Sequence, residues 1–185
     1  MYGIIRFLIE DIVMNIAFFG GSFNPPHQGH INVIDHLLND DMFDKVIVKP
    51  CGVRSDKPEL KSNSTERSKL IEDMFRFDNK KFSLILDGVS EEFKSTYMEM
   101  NDLSNLSDNV WMVCGEDIFM DTGNGLNEMQ EWWVNGNELF SQYKFYIFER
   151  NPDKKPLILP KNHIYAEKFE PLVISSSFLR EGIDG

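Results

Sequence analysis

The chain has 185 residues, a length that suits one domain with a substantial core, and its 42% hydrophobic and 26% charged composition is that of an ordinary globular protein. A formal net charge of −11 argues against general nucleic-acid binding, which needs a basic face to displace counterions. The two cysteines, Cys51 and Cys114, fit neither a disulfide framework nor a zinc spacing, and as reduced thiols in or beside apolar runs they favour the cytoplasm.

In chain order, residues 1–13 come first. They are apolar but broken by Arg6, Glu10 and Asp11, too short and too charged for a membrane span, and without a signal peptide's layout. No membrane association is expected. Met14 begins MNIAFFGG, a natural first strand of a Rossmann-type sheet, so residues 1–13 are read as an N-terminal extension outside the core fold and residues 14–185 as one domain.

From there short β-rich runs alternate with helix-compatible stretches. NIAFF (15–19) precedes an amphipathic HINVIDHLL (30–38), and KVIVK (45–49) precedes TERSKLIEDMF (65–75), where Ser64 or Thr65 offers an N-cap. FSLIL (82–86) leads into SEEFKSTYMEMNDL, VWMVC (110–114) into a long polar stretch, and KFYIF (144–148) follows. Strands alternating with helices and lacking hairpin turns predict an α/β fold: a Rossmann-like, doubly wound parallel sheet of about five strands. Ligands of such sheets sit at the carboxyl ends of the strands, so chemistry is expected in the loops after Phe19, Lys49, Cys114 and Phe148.

The loop after the first strand carries the sharpest signal, GGSFNPPHQGH (20–30). Between Ile12 and Ile34 the chain has no charged residue of either sign. Gly20 and Gly21 are expected to let the backbone turn sharply and approach a ligand closely. A helix starting near Gln28 offers unpaired N–H groups and the positive end of a dipole. His27 and His30, three apart, can donate to phosphate oxygens on one side of that start. Donors without fixed negative charge suit a polyphosphate. The loop is neither GxGxxG nor GxxxxGK[ST]. A zinc pair is disfavoured because His36 and His163 offer no third ligand at a sensible spacing, and no protein metal ligand is expected.

The same loop, FNPPHQGH (23–30), resembles the signature of the HxGH nucleotidyltransferase superfamily in the form found in nicotinate or nicotinamide mononucleotide adenylyltransferases. Near the other end, ISSSFLR (174–180) is similar to that family's second signature, with Ser177 where a threonine is usual. The resemblance covers roughly Asn15 to Arg180. It implies that Gly20, Gly21, Ser22, Phe23, Ile174, Ser175 and Ser176 bind ATP, and that His27, His30, Lys57 and Arg180 stabilise charge on the phosphates. Lys57 lies in PCGVRSDKP after the second strand, matching the family's phosphate-side loop. CGED resembles the GxD that contacts the nucleotide ribose, giving Gly115 and Asp117. STYMEM resembles the segment lining the acceptor pocket, giving Thr96 and Tyr97. Counted back from Arg150, which matches an arginine after the fifth strand, Trp133 takes the place of a ring-stacking tryptophan. The stretch before it is longer than its counterpart, and Trp132 is the alternative.

The reaction the resemblance implies is attack by the 5′-phosphate of a pyridine mononucleotide on the α-phosphorus of ATP, releasing pyrophosphate. A phosphate monoester is already an adequate nucleophile, so the protein must supply alignment and charge stabilisation rather than a base. Mg²⁺ is expected on the phosphates, held mostly by ATP and water. The expected partners are ATP and the mononucleotide, with homo-oligomer formation left open. Transfer to another acceptor such as phosphopantetheine, or nucleotide binding without catalysis, stands as the alternative. The choice between acid and amide forms of the pyridine is also open.

Overall fold

In the computed structural model, the residues described are 14–54, 57, 60, 64–89, 93–150 and 153–170. Six parallel strands form one sheet in the order β3-β2-β1-β4-β5-β6. They are β1 (Ile16–Gly21), β2 (Lys45–Pro50), β3 (Phe82–Leu84), β4 (Val110–Gly115), β5 (Lys144–Phe148) and β6 (His163–Tyr165). Helix α1 (Gln28–Asn39) connects β1 to β2, α2 (Ser64–Met74) connects β2 to β3, and α3 (Thr96–Ser104) connects β3 to β4. After β4 the chain makes a 3₁₀ turn (Glu116–Phe119) and two short helices, α4 (Glu128–Trp132) and α5 (Gly136–Gln142). The doubly wound α/β class is as the alternation of runs requires.

Alternate residues of each strand face opposite sides of the sheet, and both sides are covered. Ala17, Phe19, Val46 and Val48 pack with Ile34, Leu37 and Leu38 of α1 and Ile71 of α2. Ile16, Phe18, Ile47 and Met112 pack on the other side with Met100 and Leu103 of α3, Met129 of α4 and Leu139 of α5. Double-sided burial is why the strands read as near-continuous apolar runs.

Beyond the five runs expected, a sixth short strand joins the sheet, because His163–Tyr165 pairs in parallel with Phe145–Ile147 of β5. The polar stretch after β4 is also ordered by its own caps. Asn127 caps α4 by accepting from the Gln130 N–H at 2.9 Å, and Asp121 closes the loop before it by accepting from the Gly123 and Gly125 N–H groups at 2.9 and 3.1 Å.

The pairing pattern positions the site. β1 pairs with β2 as far as Gly21 and Pro50, and β4 pairs with β5 as far as Gly115 and Phe148. Between β1 and β4 the pairing stops at Phe18 and Met112. The two strands at which the order reverses therefore part over their carboxyl-terminal residues, and a crevice opens there. Among the described residues no helix is long and apolar enough to cross a membrane.

Candidate active site

A cleft of about 1070 Å³ fills that opening. One wall is the β1–α1 loop. Gly20 and Gly21 remain in β1, and the left-handed backbone falls on Phe23, with φ of 43°. The expected sharp turn at the glycines is thus displaced by two residues. Instead, each glycine's missing side chain leaves room for a ring, since a Cβ would lie 3.2 Å from Phe18 at Gly20 and 3.2 Å from Phe23 at Gly21. Phe23 holds a conformation that most side chains resist. Its ring is 1% exposed and lies edge-on to Phe19 and Phe75, each at 5.3 Å, and this burial stabilises the turn.

His27 is the N-cap of α1, with extended backbone (φ −152°, ψ 171°) and 5% exposure. Its N–H donates to His30 Nδ1 at 3.1 Å, and its carbonyl accepts from the His30 N–H at 2.9 Å. The two imidazoles stack, centroids 3.7 Å apart. Accepting at Nδ1 leaves the His30 proton on Nε2, so the ring is a neutral donor. Burial, and then the neighbouring His27 and Arg150, push its pKa down to about 3. His27 is lowered as well, by burial and then Arg150. His27 Nδ1 is buried and has no hydrogen-bond partner among the described residues.

The opposite wall is the end of β4. Gly115 caps the 3₁₀ turn, and a Cβ there would collide with the Asp117 carboxylate and the Arg150 guanidinium. These two groups pair at 3.5 Å. Behind them Glu116, 3% exposed, accepts from the Arg150 backbone N–H at 3.3 Å and from the Tyr165 hydroxyl at 3.4 Å. The added strand β6 thus anchors the turn that aims Asp117.

Two further segments complete the cleft. At the start of α3, Ser95 Oγ caps the helix by accepting from the Met98 N–H at 3.3 Å, and Thr96 lines the cleft. Tyr97 does not. It packs into the core beneath, edge-on to Tyr143 at 6.1 Å. Lys49 at the end of β2 pairs with Glu99 of α3 at 2.6 Å, and Lys94 pairs with Glu99 and Asp102. At the end of α4 both tryptophans reach the cleft. Trp133 is half-buried, its indole N–H donating to Glu128 Oε1 at 3.3 Å, while Trp132 is 66% exposed.

The fold therefore brings Gly20, Gly21, Ser22, Phe23, His27, His30, Lys57, Thr96, Gly115, Asp117 and Trp133 to one cleft. Ile174, Ser175, Ser176 and Arg180 lie outside the described residues. Sequence reasoning passed over Arg150, used only as a register mark, and Lys49, Arg54 and Lys94, all of which line the cleft. For Arg150 and Lys49 the signal was available, since both stand at carboxyl ends of strands. Both cysteines are free, as expected, with Cys114 buried.

A doubly wound sheet whose switch-point cleft holds paired histidines at a helix start is the arrangement of a nucleotidyltransferase. The chain belongs to the cytidylyltransferase-like family, whose model matches residues 18–182. It is 30% identical over 145 residues to the "Probable nicotinate-nucleotide adenylyltransferase" of Fusobacterium nucleatum subsp. nucleatum, covering 76% of this chain and 70% of that protein. It is 27% identical over 180 residues to the protein of the same name from Clostridium acetobutylicum, covering 90% of this chain and 86% of that one. Among solved structures, Plasmodium falciparum nicotinic acid mononucleotide adenylyltransferase complexed with NaAD superposes with a TM-score of 0.64 at 26% identity, over 91% of this chain and 83% of that chain.

Proposed function

We propose that this protein transfers AMP from ATP to nicotinate mononucleotide, forming nicotinate adenine dinucleotide and pyrophosphate, a step of NAD biosynthesis. The relatives' names support the acid form of the acceptor. The observation that carries the reading is the histidine pair. His30, neutral and committed to donating from Nε2, stands with His27 at the start of α1, on a wall of the cleft that holds no carboxylate.

In this reading the ATP phosphates lie against that wall. His27, His30 and Lys57, with Arg180, Ser175 and Ser176, donate to oxygens whose charge grows as pyrophosphate leaves. Ser22 and Phe23 offer backbone at the same place. Asp117, aimed by Gly115 and Arg150, accepts from the ribose hydroxyls. Trp133, fixed by Glu128, provides a flat face for the pyridine ring in the cleft that Thr96 also lines. Stacking needs a fixed plane, which is why the tethered tryptophan is preferred to Trp132.

Among the described residues no group of three or more His, Cys, Asp or Glu could hold a metal ion, and the Asp117 carboxylate is already paired with Arg150. That donor set fits Mg²⁺ carried in by the phosphates with its waters, not a protein cage. When bound, the ion would neutralise phosphate charge.

The test is incubation with Mg-ATP and each candidate acceptor, with dinucleotide and pyrophosphate measured. Nicotinate mononucleotide should give both products and be preferred over the amide. Product from phosphopantetheine alone, or from no acceptor, would overturn the assignment.

A further inference from the structure

Arg67, in the first turn of α2, is 1% exposed. Nη1 donates to the Ser22 carbonyl at 2.8 Å, and Nη2 donates to the carbonyls of Cys51 and Val89, each at 2.9 Å. Among the described residues no carboxylate pairs with it, and Nε has no partner. A charged group at this depth is costly unless its surroundings hold it. Here three main-chain oxygens do so, and they belong to three segments far apart in sequence. Ser22 is in the loop between β1 and α1. Cys51 follows β2 on the way to Lys57. Val89 lies between β3 and Thr96.

Each of these segments contributes to the cleft lining: Ser22 and Cys51 themselves, and Asp87 and Gly88 beside Val89. A planar fork donates from two separated nitrogens in fixed directions, Nη1 to one carbonyl and Nη2 to two, a geometry that the single nitrogen of a lysine ammonium does not reproduce. Helix patterning gives no reason for a cation on this face, because Ile71, one turn on, is fully buried. The position is occupied for what the guanidinium holds.

We infer that Arg67 is a positioning residue that locks the ATP-side, phosphate-side and acceptor-side walls of the cleft into one register. The kinetic consequence rests on the proposed reaction. With the tie lost, each wall keeps its own groups for its own substrate, while the alignment of one substrate to the other fails. Alignment is what this attack requires most of the protein, so the loss falls on kcat.

Arg67→Lys should therefore lower kcat about 10²-fold while either KM moves less than about threefold. Hydrogen exchange reads the tie without any substrate. The Cys51 N–H, which donates to Gly21 O at 2.8 Å, and the Val89 N–H, which donates to Leu86 O at 3.3 Å, should lose protection together in Arg67→Lys. Val46–Val48 inside β2 should stay as protected as in the wild type. Wild-type kcat and exchange in a folded Arg67→Lys overturn the inference. Exchange rising throughout the sheet with kcat unchanged overturns it too, making Arg67 a stabiliser of the core alone. If the wild type makes no dinucleotide, the proposed reaction fails and the exchange pattern alone decides the tie. Should Arg67→Lys not fold, Arg67→Gly is assayed with millimolar guanidinium or urea. Recovery of kcat with guanidinium only supports the tie, and recovery with neither overturns it.

Discussion

His30 spends its Nδ1 lone pair on the His27 backbone N–H, and that single bond fixes both the tautomer and the chemistry open to the ring. It can donate from Nε2 without first acquiring a proton. The same burial that lowers its pKa from 6.5 to about 3 has a cost in acid. As pH falls below about 6.5 the unfolded chain binds this proton and the folded chain does not, so stability declines from there toward pH 3 and is undiminished by this group above it. His27 and His36, also lowered by burial, act in the same direction. His30→Gln isolates the one contribution. Between pH 7 and pH 5 the wild type should lose about 1–2 kcal/mol more unfolding free energy than the variant, measured by denaturant titration. In the adenylyl transfer assay the same variant should lose about 10²-fold in kcat with little change in the KM for ATP. Equal stability slopes would show that the imidazole is not held neutral, and an unchanged kcat would remove His30 from the phosphate donors.

At the scale of elements, α4 ends in two adjacent tryptophans with unlike surroundings. Trp133, the residue that caps α4, packs against the core and donates to Glu128 at the start of that helix, whereas Trp132 stands in solvent at the rim. Trp133→Ala should raise the KM for the mononucleotide about tenfold, the scale of one lost stacking partner, and leave the KM for ATP unchanged. Trp132→Ala should do neither, and the reverse result in steady-state kinetics would exchange their roles. The same elements show what a single sequence can reveal. The runs of β1, β2, β4 and β5 were legible because burial on both faces leaves an unbroken apolar stretch, and β3 because the apolar run FSLIL extends past its three paired residues. β6 was not, since three residues, His163–Tyr165, are too few for any period to register. α4 and α5 were hidden for a related reason: at five and seven residues they are fixed by the Asn127 cap and by Met129 and Leu139 rather than by an amphipathic stripe. In the loop after β1 the histidines were legible as donors, but the turn was assigned to the glycines. The left-handed residue is Phe23, held by ring packing that no local rule foresees. Arg67 was invisible as a site residue, because its partners are carbonyls from three segments brought together only by the fold.

For the whole molecule, the parting of β1 from β4 makes one cleft out of loops that the sequence spreads from Gly20 to Arg150. We propose that residues 14–185 are a self-sufficient domain. Its first described contacts support this: the Met14 carbonyl accepts from Ser107 Oγ at 2.6 Å, and the Ile16 N–H donates to Asn109 O at 2.9 Å. A chain beginning at Met14 should keep its kcat, and its Tm by calorimetry should stay within about 2 °C of the full chain's. A larger fall would place residues 1–13 in the fold. The two outer strands of the sheet, β3 and β6, are three residues each. A foreign strand laid along either side would find only a stub of ladder to zip onto. Among the described residues the sheet thus offers strand-by-strand growth little to build on at either margin.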